Sequence, residues 1–164
     1  MLIAVMSDSH DHLGNLDAAL KLALENRAAM IVHCGDFVAP FSLRALDEAG
    51  IPVHGVFGNN DGDQYLLTRL SMSELERVTL HGQVGTLEVQ DCRLAFTHLP
   101  IVGQGLAATG DYDLVCFGHS HNHFAANTGR TLLLNPGEIM GKDESPGFCL
   151  YDTSSRKYRR IILA

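Results

Sequence analysis

The chain has 164 residues, of which 46% are hydrophobic and 19% are charged, as in an ordinary globular protein. This length supports a hydrophobic core without disulfide bonds, so we expect residues 1–164 to form a single domain. The formal net charge of −7 argues against general nucleic-acid binding, because that function needs a basic surface.

The first half of the chain alternates predicted strands and helices. Three apolar runs rich in β-branched residues predict buried strands at 2–6, 30–34 and 51–57. Leucines at helical spacing predict a helix over 13–26. Ser42 is a candidate N-cap for a second helix that ends before Gly50, and a third helix is expected over 63–71. This order of elements predicts parallel strands with right-handed crossovers.

The second half has shorter elements and more turn residues. Two or three strands are expected within 78–97, and further strands near 113–117, 123–127, 131–134, 147–152 and 156–163. A helix is expected near 101–109. Because the connections are short, we expect mostly antiparallel pairing here. Both halves fit an α/β fold with two packed β-sheets and helices on the outer faces.

Five of the apolar runs end on side chains that commonly bind metal ions. The five blocks are Ser7-Asp8-Ser9-His10, Gly35-Asp36, Gly58-Asn59-Asn60-Asp61, Thr97-His98 and Gly118-His119-Ser120-His121. In an open α/β sheet the functional site lies at the carboxyl ends of the strands. We therefore expect seven metal-ligand side chains to converge at one edge, namely Asp8, His10, Asp36, Asn59, His98, His119 and His121.

The predicted ligands offer oxygen and imidazole nitrogen and no thiolate. Such a set suits Mn, Fe, Ni, Co or Zn better than a cation that binds oxygen alone. A carboxylate can bridge two cations, and Asp36 is the natural candidate for that role. Two divalent cations about 3.5–4 Å apart promote cleavage of phosphate esters by activating water and neutralising phosphoryl oxygens. The ligands alone therefore predict a dinuclear metal-dependent hydrolase of phosphate esters.

The five blocks, in this order, resemble the calcineurin-like metallophosphoesterase superfamily, and most of all its small single-domain bacterial and archaeal phosphodiesterases. The likeness runs from residue 2 to about residue 152 and includes the Asn135-Pro136-Gly137 turn. It implies a four-layer α/β/β/α sandwich, two divalent ions such as Mn²⁺, and hydrolysis of a phosphodiester by a metal-bridging hydroxide. It also implies that Asp8, His10, Asp36 and His121 hold one metal, and that Asp36, Asn59, His98 and His119 hold the other.

Two blocks depart from the family pattern. Asn60 stands where many members have a histidine that contacts the phosphate and assists the leaving group. General acid catalysis is commonly worth about 10²–10⁴ in rate, so we expect a preference for activated diesters. Asn59 and Asn60 are expected to line the substrate phosphate beside Asp36. The Thr97-His98 block continues with Leu99-Pro100 instead of glycine, which makes the adjoining loop more apolar and stiffer.

Several polar residues near these blocks have two interpretations. Asp61 either orients Asn60 or a ligand histidine, or it is a turn residue. His12 either touches the substrate phosphate or, as we favour, lies in the first turn of a helix. Asn135 is expected to stabilise its own turn, and His33 is expected to be structural or exposed. His54 and His81 are likewise expected to be structural or exposed.

The expected substrate is a small phosphodiester or a nucleotide. Two rival functions remain open, a non-catalytic protein-interaction scaffold on the same fold and a phosphomonoesterase. The chain starts without the basic segment of a signal peptide and has no apolar run near the roughly 20 residues of a membrane span, so we expect a cytoplasmic protein without membrane contact. Free buried thiols are expected at Cys34, Cys92, Cys116 and Cys149. Homodimerisation is suggested by the resemblance alone.

Overall fold

The computed structural model describes residues 1–163, which form eleven strands and four helices. The strands are β1 (Leu2–Met6), β2 (Met30–His33), β3 (Val53–Gly55), β4 (Val78–Leu80), β5 (Val84–Val89), β6 (Cys92–Thr97), β7 (Leu114–Cys116), β8 (His123–Thr128), β9 (Thr131–Pro136), β10 (Gly147–Asp152) and β11 (Lys157–Ile162). The helices are α1 (Leu13–Glu25), α2 (Pro40–Glu48), α3 (Gln64–Ser73) and α4 (Pro100–Ala108). None of these helices is both long and apolar enough to cross a membrane.

The strands form two mixed sheets. The first sheet has six strands in the order β11-β10-β1-β2-β3-β4, and the second has five in the order β5-β6-β7-β9-β8. In the first sheet β1 to β4 run parallel, with Ile3 opposite Met30 and Val53 opposite Val78. This parallel half follows from the alternation of strands and helices along the first 80 residues.

Side chains of alternate residues in β1 enter two different hydrophobic clusters. Ala4 and Met6 pack with buried residues of α1, α2 and α3 on the outer face of the first sheet. Ile3 and Val5 face the other way and pack with β6, β7 and β9 between the two sheets. A third cluster joins α4 to the outer face of the second sheet. The predicted four-layer α/β/β/α sandwich is therefore confirmed.

Strand pairing in the second half differs from the expectation of mostly antiparallel neighbours. β5 and β6 pair antiparallel, as do β8 and β9, but β7 is parallel to both β6 and β9. Two connections account for the difference. Helix α4 is a crossover from β6 to β7, and β8 takes the edge of the sheet so that β9 returns beside β7. The parallel pairs bring the carboxyl ends of β6 and β7 to the same edge.

The second helix does not begin at Ser42. It begins at Pro40, after Ala39, because proline suits the first turn, where its missing N–H leaves no helical hydrogen bond unmade. Ser42 lies inside that turn, and its hydroxyl donates a 2.7 Å hydrogen bond to Oδ1 of Asp11. The same carboxylate oxygen accepts from the backbone N–H of Ala39. The prediction for the cysteines is confirmed, since all four are free and buried.

Candidate metal centre

The five polar blocks follow five strands whose carboxyl ends lie at one edge of the two packed sheets. Asp8 and His10 follow β1, Asp36 follows β2, Asn59 follows β3, His98 follows β6, and His119 and His121 follow β7. Backbone hydrogen bonds tie the blocks together within each sheet. His10 N–H donates to the Asp36 carbonyl at 2.9 Å, and Gly118 N–H donates to the His98 carbonyl at 3.1 Å. The structure thus brings all seven predicted side chains into one cluster.

One half of the cluster is made by two imidazoles and a buried carboxylate. Nε2 of His10 lies 3.2 Å from Nε2 of His121. Oδ1 of Asp8 lies 3.4 Å from the same His121 nitrogen and 3.8 Å from that of His10. This Asp8 oxygen is buried and has no hydrogen-bond partner within residues 1–163. A buried carboxylate oxygen left without a partner among imidazole nitrogens is the arrangement that a divalent cation would satisfy.

The other half is centred on the amide oxygen of Asn59. This oxygen lies 2.9 Å from Nε2 of His98 and 2.8 Å from Nδ1 of His119. The remaining His98 nitrogen, Nδ1, lies 2.8 Å from the Cys34 carbonyl, which holds the ring so that Nε2 points at the cluster. An amide oxygen and two imidazoles make a second set of donors suited to a divalent transition-metal ion.

The carboxylate of Asp36 lies between the two halves. Its Oδ2 is 3.5 Å from Nε2 of His10 and 3.3 Å from Nε2 of His98. Asp36 also falls in a group with Asp8 and His98 whose ligand atoms are close enough to share one ion. The residues therefore fit a pair of divalent cations with a shared carboxylate.

Charges in the cluster favour the ionised carboxylate. Burial raises the pKa of Asp36, but hydrogen bonds from His98 and Asn60 outweigh burial and hold that pKa far below its usual range. The neighbouring carboxylate of Asp8 raises the pKa of His10. Burial lowers the pKa of His98, yet the hydrogen bond and charge of Asp36 raise it overall. The carboxylates thus make this edge attractive to positive charge.

Five of the seven clustered residues have left-handed backbone conformations. Their φ angles are 53° for Asp8, 43° for His10, 58° for Asp36, 70° for His119 and 59° for His121. Such conformations cost on the order of 1–3 kcal/mol each and persist where surrounding structure enforces them, often at functional sites. The loops at the strand ends therefore adopt conformations that cost stability, and these conformations direct the five side chains toward one point.

Asp61 joins the loops after β2 and β3. Its carboxylate accepts hydrogen bonds from the backbone N–H groups of Asp36, Val38 and Gly58, at 3.0, 2.6 and 2.6 Å. Burial raises the pKa of Asp61, and these three donors offset only part of that rise. Of the two interpretations of Asp61, the turn residue fits the structure, because these three backbone N–H groups are the hydrogen-bond donors to its carboxylate within residues 1–163. It holds the Asp36 loop.

Asn60 lies at the exposed rim of the cluster. Its side-chain Nδ2 donates to Oδ2 of Asp36 at 2.8 Å, and its backbone N–H donates to Oδ1 at 2.7 Å. Asn59 is also exposed, with its amide oxygen turned toward His98 and His119. Both side chains are accessible to a molecule that approaches the cluster from solvent.

Asn135 does more than the sequence suggested. Its Oδ1 accepts from the Gly137 N–H, which is the predicted turn. Its Nδ2 also donates to the Gly118 carbonyl at 2.9 Å and to Oγ of Ser120 at 3.0 Å. Asn135 therefore fixes the segment that carries His119 and His121. The sequence offered one hint of this role, since the Asn135-Pro136-Gly137 turn follows a strand that ends at the same edge.

Glu138 was missed altogether. It is fully buried, and its Oε2 lies 2.7 Å from Nδ1 of His121. A glutamate beside a glycine turn looks like a solvent-exposed residue in the sequence, because only the fold determines that it is covered. Asp11, which lies next to His10 and anchors the start of α2, was also missed, because its partners Ala39 and Ser42 are far away in the chain.

Four further histidines, His12, His33, His54 and His81, take structural positions. His33 is buried, its Nε2 lies 3.1 Å from Oγ of Ser9, and burial lowers its pKa to about 4. His54 and His81 contact each other at 2.9 Å, away from the cluster. His12 caps α1, where its Nδ1 accepts from the Asn15 N–H.

The apolar residues after His98 also have a structural cause. Helix α4 begins at Pro100, so Leu99 takes the N-cap position and proline takes the first helical position. Leu99 lines a recess beside Asn59 and His98 that also contains Gln64 and Gln83. Pro100 lines a second recess, more apolar, with Phe117 and Phe124. The Leu99-Pro100 step thus separates two recesses next to the cluster.

Gly118 allows the second sheet to approach the first at this edge. A Cβ atom there would overlap Oγ of Ser7 and lie 2.7 Å from Oδ2 of Asp8. We expect Gly118→Ala to lower the free energy of unfolding by about 1–3 kcal/mol, the usual range for overpacking. Urea unfolding of the metal-free protein measures this change.

Gly105 provides the matched control for that substitution. It lies inside α4, and a Cβ there would meet nothing within 4 Å. Gly105→Ala is expected to raise stability by about 0.5–1 kcal/mol, because alanine is the better helix former. Equal effects of the two substitutions would show that the approach at Gly118 is not tight.

Comparison with known proteins identifies relatives that carry this fold over its full length. A family model described as the calcineurin-like phosphoesterase superfamily domain matches residues 1–156. A phosphodiesterase of Methanocaldococcus jannaschii is 30% identical over 166 residues, which cover 99% of each chain.

Two solved structures extend this comparison. The structure of an archaeal phosphodiesterase superposes with a TM-score of 0.89 at 30% identity, covering 99% of this chain and all of that one. A phosphoesterase from E. coli has a TM-score of 0.70 at 18% identity, and each chain is covered completely. At that lower identity the second structure is evidence of a shared fold alone.

Proposed function

This chain belongs to the calcineurin-like phosphoesterase superfamily, and from that premise we propose that it is a dinuclear metal-dependent phosphodiesterase. Its membership and its phosphodiesterase relatives support a phosphoric ester hydrolase. The relatives' names favour a phosphodiester over a monoester as substrate. The family also implies divalent metal ions, which the clustered carboxylates and imidazoles are suited to hold.

The observation that carries the proposal is the position of Asp36 between two sets of donors. Its Oδ2 faces His10 on one side and His98 on the other, within 3.5 Å of each imidazole. We assign one cation to Asp8, His10, Asp36 and His121, and the other to Asp36, Asn59, His98 and His119. Mn²⁺ is the ion we favour, with Fe, Ni, Co or Zn as alternatives suited to the same donors.

When bound, the two cations supply Lewis acidity to the phosphate ester and activate water as a nucleophile. The protein's own residues set the positions of the metal ligands and of the substrate phosphate. Asp61 and the Cys34 carbonyl hold Asp36 and His98 in place. Asn59 and Asn60 stand at the exposed rim, where their amides are placed to line the substrate phosphate. A small phosphodiester or nucleotide fits such an open rim, which adjoins the recess lined by Asn59, His98 and Leu99.

Removal and return of metal tests the proposal. The protein treated with a chelator is expected to lose hydrolysis of an aryl phosphodiester, and Mn²⁺ is expected to restore it. Hydrolysis of the corresponding aryl phosphomonoester is expected to be slower. Turnover that no divalent cation restores would favour the non-catalytic scaffold, whereas a faster monoester reaction would favour the phosphomonoesterase.

A further inference from the structure

A recess opens beside the half of the candidate metal centre that contains Asn59 and His98. It has a volume of about 210 Å³, and we call it the glutamine recess; its lining includes Phe57, Asn59, Gln64, Gln83, His98 and Leu99. Because two of these residues are proposed metal ligands, a phosphate ester held at the centre would lie directly beside the recess. Pockets that enclose a whole drug-sized ligand measure about 300–1,000 Å³. The size of the glutamine recess therefore matches a single substituent of a diester.

The backbone on both sides of the glutamine recess is held in place. Gln64 is the first residue of α3 and follows the residue that caps this helix. The carbonyl of Gln83 accepts a 3.0 Å hydrogen bond from Oγ1 of Thr97, at the end of β6. The N–H of Phe57 donates to the Gly82 carbonyl at 2.7 Å, which ties the loop after β3 to the segment that carries Gln83. The two glutamine side chains themselves are exposed, so their amides are accessible from solvent.

The lining of the glutamine recess is polar without being charged. Within the part of the chain that the structure describes, it contains no lysine, arginine, aspartate or glutamate. A charged substituent would therefore find no ion-pair partner there. Each glutamine amide offers two N–H donors and a carbonyl acceptor, which suit the hydroxyl, carbonyl and amino groups of neutral molecules. Phe57 and Leu99 add apolar surface of the kind that lines sites for organic ligands.

We propose that the glutamine recess binds an uncharged, hydrogen-bonding ring substituent of the phosphodiester, with a nucleoside as the type, and that Gln64 and Gln83 make its hydrogen bonds. The inference rests on the proposed function, because the phosphate of the same substrate must lie at the metal centre. It names the substrate class as nucleoside phosphodiesters, ahead of diesters whose second substituent is apolar or carries a further phosphate.

A second recess is the alternative place for the substituent. It lies on the other side of the Leu99-Pro100 step and contains Gln104, Phe117 and Phe124. Its lining is more apolar, and none of the seven proposed metal ligands belongs to it. The glutamine recess is favoured because it alone of the two adjoins the position of the phosphate through Asn59 and His98.

Three diesters with the same p-nitrophenyl leaving group test the proposal in the presence of Mn²⁺. Their second substituents are phenyl, thymidine joined through its 5′ oxygen, and the same thymidine with a 3′-phosphate. Because the leaving group is constant, differences in kcat/KM measure recognition of the second substituent. A neutral hydrogen bond is worth roughly 2- to 10-fold in binding. We expect the thymidine diester to exceed the phenyl diester about tenfold in kcat/KM, and the 3′-phosphate to give no further gain.

Replacement of the amides identifies the recess that is used. Gln64→Leu and Gln83→Leu are each expected to lower kcat/KM for the thymidine diester about 3- to 10-fold, mainly by raising KM, and to leave the phenyl diester within about twofold. Gln104→Leu is the matched control, since it makes the same change at an exposed glutamine of the second recess. It is expected to leave the preference for the thymidine diester unchanged.

Binding to the folded wild type provides a measurement that needs no variant. In the Zn²⁺-loaded protein, the methyl ester of thymidine 5′-phosphate is expected to shift the side-chain NH₂ resonances of Gln64 and Gln83, and not those of Gln104. Shifts confined to Gln104, or loss of the preference in Gln104→Leu alone, would place the substituent in the second recess and overturn the proposal. A higher kcat/KM for the 3′-phosphorylated diester would overturn the preference for an uncharged group.

Failure of this inference is distinguishable from failure of the proposed function. If Mn²⁺ supports hydrolysis of all three diesters with equal kcat/KM, the glutamine recess has no role in recognition and the proposed function stands. If no divalent cation supports hydrolysis of any of them, the proposed function is overturned and this inference with it.

Discussion

Asp36→Asn is expected to reduce phosphodiester hydrolysis about a thousandfold or more while the protein remains folded. The Lewis acidity of metal ions is worth several kcal/mol of transition-state stabilisation, and each ~1.4 kcal/mol corresponds to a factor of ten. Within the part of the chain that the structure describes, Asp36 is the side chain whose oxygen faces imidazoles of both halves of the cluster. An amide offers one neutral oxygen in place of a charged carboxylate, so one of the two proposed cations loses a ligand and both lose the negative charge between them. Steady-state kinetics at saturating Mn²⁺ measures the loss.

Asp63→Asn is the control for that substitution. Asp63 caps α3 by accepting from the Leu66 N–H, and asparagine caps helices equally well. The same chemical change at this exposed position should leave activity and stability unchanged. Stoichiometric metal binding should fall in Asp36→Asn alone. Retention of both cations and of most activity by Asp36→Asn would exclude a bridging role for this carboxylate.

The fold could be predicted to a large extent because its signals are local. Each of the first three strands is an apolar run that ends at a polar block, and their alternation with helices predicts parallel pairing. The shorter connections of the second half carry less information. The position of β9 beside β7 depends on β8 moving to the sheet edge, which no local pattern encodes. Ser42 was misplaced because a proline two residues earlier was the stronger helix signal.

The residues of the candidate site also divide into those that the local sequence indicates and those that it does not. Asp8, Asp36 and His119 were predictable because each follows directly on a strand within a recognisable block. Glu138 and the contacts of Asp61 were not, because their role depends on burial and on partners far away in the chain. Glu138 is 17 residues from His121, and Asp61 bonds to a backbone N–H 25 residues before it. Such contacts leave no periodic pattern in the sequence.

The rate of diester hydrolysis by the wild-type protein is expected to depend steeply on the leaving group. Asn60 stands beside Asp36 at the rim, and its amide cannot donate a proton to a departing alkoxide. General acid catalysis is typically worth about 10²–10⁴ in rate. An alkyl phosphodiester should therefore react at least about a hundredfold more slowly than an aryl diester, whose leaving group departs without a proton. Comparable rates for the two substrates would show that another acid serves the leaving group.

Asn60→His is expected to reduce the rate difference between the two diesters, because it should accelerate hydrolysis of the alkyl diester. The backbone N–H of residue 60 would still donate to Asp36, while an imidazole at the exposed rim can protonate the leaving oxygen. We expect alkyl diester turnover to rise about a hundredfold, the lower end of general acid catalysis, with aryl diester turnover within a few-fold of wild type. The gain should decline as pH rises above about 6.5, where the imidazole loses its proton. Asn60→Gln keeps an amide and should show neither the gain nor the new pH dependence. An equal gain in both variants would trace the effect to loss of the Asn60 contact with Asp36 and not to proton donation.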